Sequence, residues 1–239
     1  MIALLLLAQT ATTCIDEVRT DPVKAVETAR AWGAAGGGAL ARQCGALAYA
    51  AQERWPEAAA AFEQAAADAR PGEELAAASL WVQAGNARLA AGEARPAVAA
   101  FDKALVSGRL TGTAKGEIRL DRARANVLAG DTAAARNDLD EALKLVPEDP
   151  LAWLLSASLA RRMDQLDRAQ ADIGEAAKRS PDDAAVALEA GRIALASGSA
   201  TAARLAFNAA IKNQPGSDAA KAAQAELDRL GGSGQRAEP

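Results

Sequence analysis

From Gly116 to Ser217 the apolar positions recur at helical spacing and fall into three consecutive helical hairpins in one register. Ala123, Ala157 and Gly191 stand in one column, each 34 residues after the last. Ala135, Ala169 and Ala203 form a second column at that period, Leu139, Ile173 and Phe207 a third, and Ala142, Ala176 and Ala210 a fourth. Pro147, Pro181 and Pro215 close the hairpins. Upstream, Ala46, Tyr49, Ala58, Phe62 and Ala65 repeat the internal spacing, as do Trp81, Gly85, Ala97, Phe101 and Ala104. These two hairpins carry Arg70 and Arg109 where the proline is expected, with Pro71 one residue late. Short breaks at 54–57, 92–96, 130–132, 162–165 and 197–199 separate the two helices of each hairpin. Before the hairpins, Asp21 to Trp32 predicts an amphipathic helix, with Asp21 as cap, Pro22 at its first position, and Val23, Val26, Ala29 and Trp32 at helical spacing. The four glycines in Gly33 to Gly38 end it. After Pro215, residues 218–230 predict one more helix with Ala223, Leu227 and Leu230 on one side, and 231–239 a flexible tail.

The columns have a physical reason. Neither helix of a hairpin can bury its apolar face alone, and stacking neighbouring hairpins closes the core. The first, second and fourth columns lie where helices cross closely, so small residues are required there. The third column holds a large apolar side chain that fills the space between hairpins. Proline after the second helix lacks the N–H that a helix interior needs. Asp149, Asp182, Asp183 and Ser217 follow the prolines and can cap the next helix.

This pattern closely resembles the tetratricopeptide repeat family: in one hairpin Trp153, Ala157, Ala169, Ile173, Ala176 and Pro181 take the family's places. The resemblance covers about 180 residues, or about five repeats. It implies an all-α fold, a right-handed superhelical solenoid of antiparallel helix pairs over 39–217, capped by the helix at 218–230. It also implies an interaction scaffold whose partner, a protein or peptide, docks in a concave groove lined by the first helix of each repeat. In the repeat frame, the groove positions include Asn86, Arg124 and Arg192, with Leu89, Val127, Arg161 and Leu195 one turn further along. Leu47, Ser158 and Ala50 complete these rows. Arginine can hold a carboxylate with two parallel hydrogen bonds, so Arg124, Arg161 and Arg192 suit a peptide carrying acidic groups. The plainer reading pairs these arginines with Asp121 and Glu189 nearby. One family subgroup, the cytosolic chaperone adaptors, grips a terminal carboxylate with a defined set of lysine, asparagine and arginine residues. Here Asn86 fits that set, but Val82, Asp121, Leu151 and Leu155 replace its other members.

Residues 1–11 change the picture of location. Met1 to Ala8 is an apolar run too short to span a bilayer, which needs about 20 residues. It suits the core of a secretory signal peptide, the alternative being the buried first turn of a cytosolic helix. Cys14 and Cys44 are the two cysteines of the chain. In an exported protein they suggest a disulfide that ties the irregular helical segment at 12–38 to the array, worth about 3–4 kcal/mol in the chain-entropy model. The alternatives are two free thiols, or lipidation of Cys14 as the route to a membrane. The predicted location is therefore periplasmic or secreted, with the cytoplasm as alternative.

Composition narrows the chemistry. The chain is rich in alanine, aromatics are 3%, and the net charge of −4 comes with no basic run, which argues against nucleic acid as a partner. It has no histidine, the commonest general base and metal ligand. The cysteines lack zinc-site spacing, and Gly36-Gly37-Gly38 lacks the lysine and strand of a phosphate loop. The sequence therefore predicts no enzyme, cofactor, metal or small-molecule substrate. Trp81 and Trp153 are expected to pack in the core.

Overall fold

The computed structural model describes residues 12–70 and 72–234, so the expected signal peptide and the end of the expected tail lie outside the described residues. Every regular element among the described residues is a helix. They are α1 (12–20), α2 (Pro22–Ala34), α3 (Gly38–Ala51), α4 (Trp55–Ala67), α5 (Glu74–Ala90), α6 (Ala94–Val106) and α7 (Gly112–Ala129). They continue as α8 (Thr132–Leu145), α9 (Pro150–Arg162), α10 (Leu166–Arg179), α11 (Ala184–Ala196), α12 (Ala200–Asn213) and α13 (Asp218–Gly234). The fold is all-α, a helical-repeat architecture in which α3/α4 to α11/α12 are the five repeats. The chain forms two compact units, divided within α8 between Ala135 and Arg136.

In the first unit each helix from α2 to α6 packs on the next, and α5 also touches α7. In the second unit α9 to α13 pack in the same order, with α11 touching both α9 and α13. The small columns show why. A Cβ added to Gly85 would lie 2.6 Å from Phe101 Cε1, and one added to Gly191 would lie 2.4 Å from Phe207 Cε1. Where the third column holds the smaller Ile173, the first column affords an alanine, and Ala157 shares its buried cluster. Ala58, Ala97, Ala135, Ala169 and Ala203 of the second column are all fully buried.

The caps follow the sequence in part. Asp21 accepts from the Lys24 N–H, Asp149 from Leu151, Asp183 rather than Asp182 from Ala185, and the Ser217 hydroxyl from Ala220. The breaks within hairpins need a left-handed residue, and Gly92, Gly130 and Gly198 supply it with φ of 75°, 84° and 78°. Glu53 and Asp164 hold the equivalent place with φ of 56° and 59°.

Two expectations change. The final helix does not stop at 230 but runs to Gly234. Val23 is 61% exposed, and Ala25, Val26, Ala29 and Trp32 form the buried face of α2 instead. At the N-terminal end, Cys14 and Cys44 are both buried and joined through their sulfurs, with Cα atoms 6.3 Å apart. Trp32, Ala29 and Ala41 pack around them.

Candidate functional site

In the first unit α5 touches α7 and in the second α9 touches α11, so the outward faces of these first helices form a wall in each unit. In the first unit that wall comes from α5 and α7. Arg124 Nη1 donates to Asp121 Oδ1 at 3.1 Å, and Asn86 also hydrogen-bonds the Asp121 carboxylate. Burial pushes the Asp121 carboxyl above its ordinary value, against the opposing pull of Arg124 and Asn86. Arg124 remains 53% exposed. The apolar members of this row do not stand free. Leu89 packs against Phe101, Ile118 and Ala125, and Val127 is half-buried, whereas its neighbour Leu128 is 66% exposed. Half-buried Leu47 and Ala50 likewise pack against the Phe62 cluster.

In the second unit the wall comes from α9 and α11, with α13 laid beside α11. Arg161 Nε donates to Glu189 Oε1 at 2.6 Å, and its Nη2 reaches Oε2 at 3.4 Å. Glu189 is buried, so the bond to Arg161 answers its desolvation. Arg192 Nη1 lies 3.8 Å from the same carboxylate, and its Nε lies 3.7 Å from Glu226 Oε1 on the last helix. Glu226 in turn accepts from Arg229 Nη1 at 3.1 Å. Leu195 is half-buried against the cluster of Leu188, Phe207 and Ala223. Ser158 is half-buried and takes no part in these pairs. The structure thus brings Arg161 and Arg192 to one carboxylate, and pairs Arg124 with Asp121 as the plainer reading expected.

Sequence reading missed Glu226, although it lies one period of 34 after Arg192. It also missed a buried polar set joining α8, α9 and α10. Ser156 Oγ donates to Asp172 Oδ2 at 2.5 Å and accepts from Arg136 Nη2 at 2.8 Å. Arg168 bonds both Asp140 and Asp172. Burial lowers the Arg136 pKa, yet Ser156 and Asp140 keep its guanidinium partnered. Asp138 and Asp172 are buried and one period apart, which is the signal that could have found them.

The two tryptophans pack against the core as expected, Trp81 on the cluster of Phe62 and Leu80 and Trp153 on that of Ile173 and Val186, but both stay half-buried. Lys103 Nζ sits 3.9 Å above the Trp81 ring, and the Arg179 guanidinium 5.2 Å from the Trp153 ring. Trp153 Nε1 donates to the Pro147 carbonyl at 2.7 Å, which ties the start of α9 to the preceding turn. Among the described residues no group of three or more His, Cys, Asp or Glu could hold a metal ion, and no helix is long and apolar enough to cross a membrane.

Two tetratricopeptide repeat profiles match the chain, one over residues 116–159 and one over 154–231. No curated protein sequence matches it. Among solved structures, PilW, described as a widely conserved type IV pilus biogenesis factor, is 21% identical with a TM-score of 0.71, over 90% of this chain and 97% of that one. PilF of Pseudomonas aeruginosa is 16% identical with a TM-score of 0.66, over 92% and 97%. YrrB, described as a TPR protein with an unusual peptide-binding site, is 20% identical with a TM-score of 0.60, over 82% and 96%.

Proposed function

The chain belongs to the tetratricopeptide repeat family, and from that premise we propose that it is a non-catalytic interaction scaffold of the cell envelope that holds an acidic peptide segment on the walls of its first helices. The observation that carries this reading is the charge balance in the second unit. Three cations, Arg161, Arg192 and Arg229, share two carboxylates, Glu189 and Glu226. Arg192 has the weaker claim on both, at 3.7 and 3.8 Å, so its donors are free to take an incoming carboxylate in a bidentate grip. In the first unit the half-exposed Arg124 offers the same chemistry beside Asn86. Similarity to YrrB, a TPR protein described as having an unusual peptide-binding site, supports a peptide as the occupant.

The test is crosslinking of the tagged full-length protein in cells, with wild type compared against the double variant Arg124→Ala/Arg192→Ala. The expected result is loss of specific crosslinked partners from a variant with an unchanged melting curve. Equal capture by the folded variant would remove the arginines from the binding site. Location in the envelope is supported by the apolar run at 2–8 and by the junction of Cys14 with Cys44. Its test is separate. Protein isolated without reductant should show no reactive thiol and should have lost Met1; two reactive thiols or a retained Met1 would refute export.

A further inference from the structure

We propose that the groove between α4, α5 and α6 binds an acidic side chain of a partner polypeptide, with the carboxylate taken by Arg70 and Lys103 and the flanking residue laid on the alanine wall beside Trp81. The groove has a volume of about 370 Å³. Ala66, Ala69 and the Trp81 ring line it, and Arg70, Glu74 and Lys103 bring charge to it. Lys103 Nζ sits 3.9 Å from the Trp81 ring centroid.

The repeat frame supplies a comparison inside the same chain. Trp153 stands four residues before Ala157, as Trp81 stands four before Gly85. In the second unit this place satisfies itself. Trp153 Nε1 donates to the Pro147 carbonyl at 2.7 Å, and Arg179 Nη1 donates to Glu175 Oε2 at 2.6 Å. Val146, one residue before that proline, is buried.

The first unit changes each of these places in one direction. Ala66 and Ala69 stand where the second unit has Leu143 and Val146, which takes volume out of the wall. Arg70 stands in place of Pro147, and Ser107 in place of Arg179. Lys103, one residue before Ala104, stands where Glu175 precedes Ala176, so the charge is reversed. Among the described residues nothing accepts from the Trp81 indole N–H, and no carboxylate pairs with the side chain of Arg70 or Lys103. The carboxylate of the groove, Glu74, is already engaged: it accepts from the Gly72 N–H at 3.0 Å and lies 3.5 Å from Arg109 Nη2. Two cations against one engaged carboxylate leave the groove positive, and its complement is an anion.

Exposed cations hold a lone carboxylate weakly, so apolar contact has to add to the charge. The alanines and the Trp81 ring offer that contact to the residue next to the acid, and a polypeptide presents both from one backbone. Trp81 and Asn86 lie five residues apart on α5 and so face different sides of the helix. The groove shares no residue with the arginine walls, and the proposal stands apart from that reading.

The experiment uses the full-length protein with isotope-labelled tryptophan, so that each of the four tryptophans gives one indole N–H signal. Trp81→Phe and Trp153→Phe identify the two signals that matter. The probe is acetyl-Ala-Leu-Glu-Ala-amide, and the same peptide with Gln for Glu is the control. The acidic peptide should shift the Trp81 signal saturably, with a Kd on the order of 1 mM or tighter, and leave the Trp153 signal in place. The Gln peptide should bind about fivefold more weakly or worse. Lys103→Glu gives the first unit the residue of the second; Lys103 is exposed, so the melting temperature should hold while affinity for the acidic peptide falls about tenfold. Absence of a saturable shift, equal affinity for the Gln peptide, an equal shift of the Trp153 signal, or full affinity in folded Lys103→Glu would each overturn the proposal. Inorganic phosphate is titrated in parallel: a Trp81 shift at phosphate concentrations equal to or below those of the peptide marks a site for small anions and overturns the assignment to a polypeptide. Should Lys103→Glu fail to fold, Arg70→Gln decides: unchanged affinity overturns the proposal, and weaker binding of the acidic peptide alone supports it.

Discussion

Replacing Gly191 with alanine should destabilise the second unit, although alanine is the better helix former. In an open helix the change is worth about 1 kcal/mol in favour of alanine. Here the new Cβ would lie 2.4, 2.5 and 2.9 Å from Phe207 Cε1, Cδ1 and Cζ. Carbon atoms pack at about 3.5–4.0 Å, so the ring has to retreat by about 1 Å. Phe207 is fully buried, in one cluster with Ala203, Ala210 and Leu188, and such overpacking costs about 1–3 kcal/mol. The net expectation is a loss of about 1 kcal/mol, or about 2–4 °C for a chain of this size. Gly174 in α10 is the control, since a Cβ there meets nothing within 4 Å. Gly174→Ala should be stabilising by about 1 kcal/mol. Adding Phe207→Ile to Gly191→Ala recreates the pair Ala157 and Ile173 found in the preceding repeat. The double variant should be more stable than the sum of the single changes by about 1 kcal/mol, measured by urea unfolding followed by circular dichroism. If Gly191→Ala stabilises as much as Gly174→Ala, or if the cycle shows no coupling, glycine is not placed by the ring and the account of the columns fails.

Ala169→Leu should lower the melting temperature more than Ala171→Leu on the same helix, because Ala169 is fully buried and Ala171 is exposed; equal melting temperatures would refute the register. Asp164→Gly should raise stability by up to about 1 kcal/mol in a thermal melt, since a left-handed non-glycine residue carries about 1–2 kcal/mol of strain, partly offset by the freer unfolded chain. Asp121→Asn tests the buried carboxyl. Its raised pKa means that the folded chain binds this proton more readily than the unfolded chain, so its contribution worsens as pH rises from the ordinary aspartate value through the raised one. Urea melts across that window should show the pH dependence reduced in the variant, and an unchanged profile would show that Asp121 is not its source.

The hairpin register was legible because close helix crossings admit few residue types, and that restriction recurs every 34 residues in Ala169, Ala203 and their equivalents. The end of the last helix was not, because Gly231 reads as a stop while α13 continues to Gly234. The wall was half legible. The positions of Arg124 and Arg192 followed from the frame, but side-chain partners depend on which elements lie alongside, and Glu226 arrives from the helix beyond the repeats. Trp81 and Trp153 pack against the core as expected, but their partial burial was not legible, because the repeat frame records position and not depth.

If the second unit holds an acidic peptide as proposed, the contact between Arg192 and Glu226 would set a threshold on what it can bind. A carboxylate carried on the same chain is present at an effective concentration on the order of millimolar. A free small acid below that level competes at a disadvantage for Arg192, whatever its charge. A longer partner that also touches α9 or α11 gains contacts that Glu226 does not make, and so can displace it. On that proposal the last helix would act as a resident competitor, and the selection it would impose is for the length of the ligand.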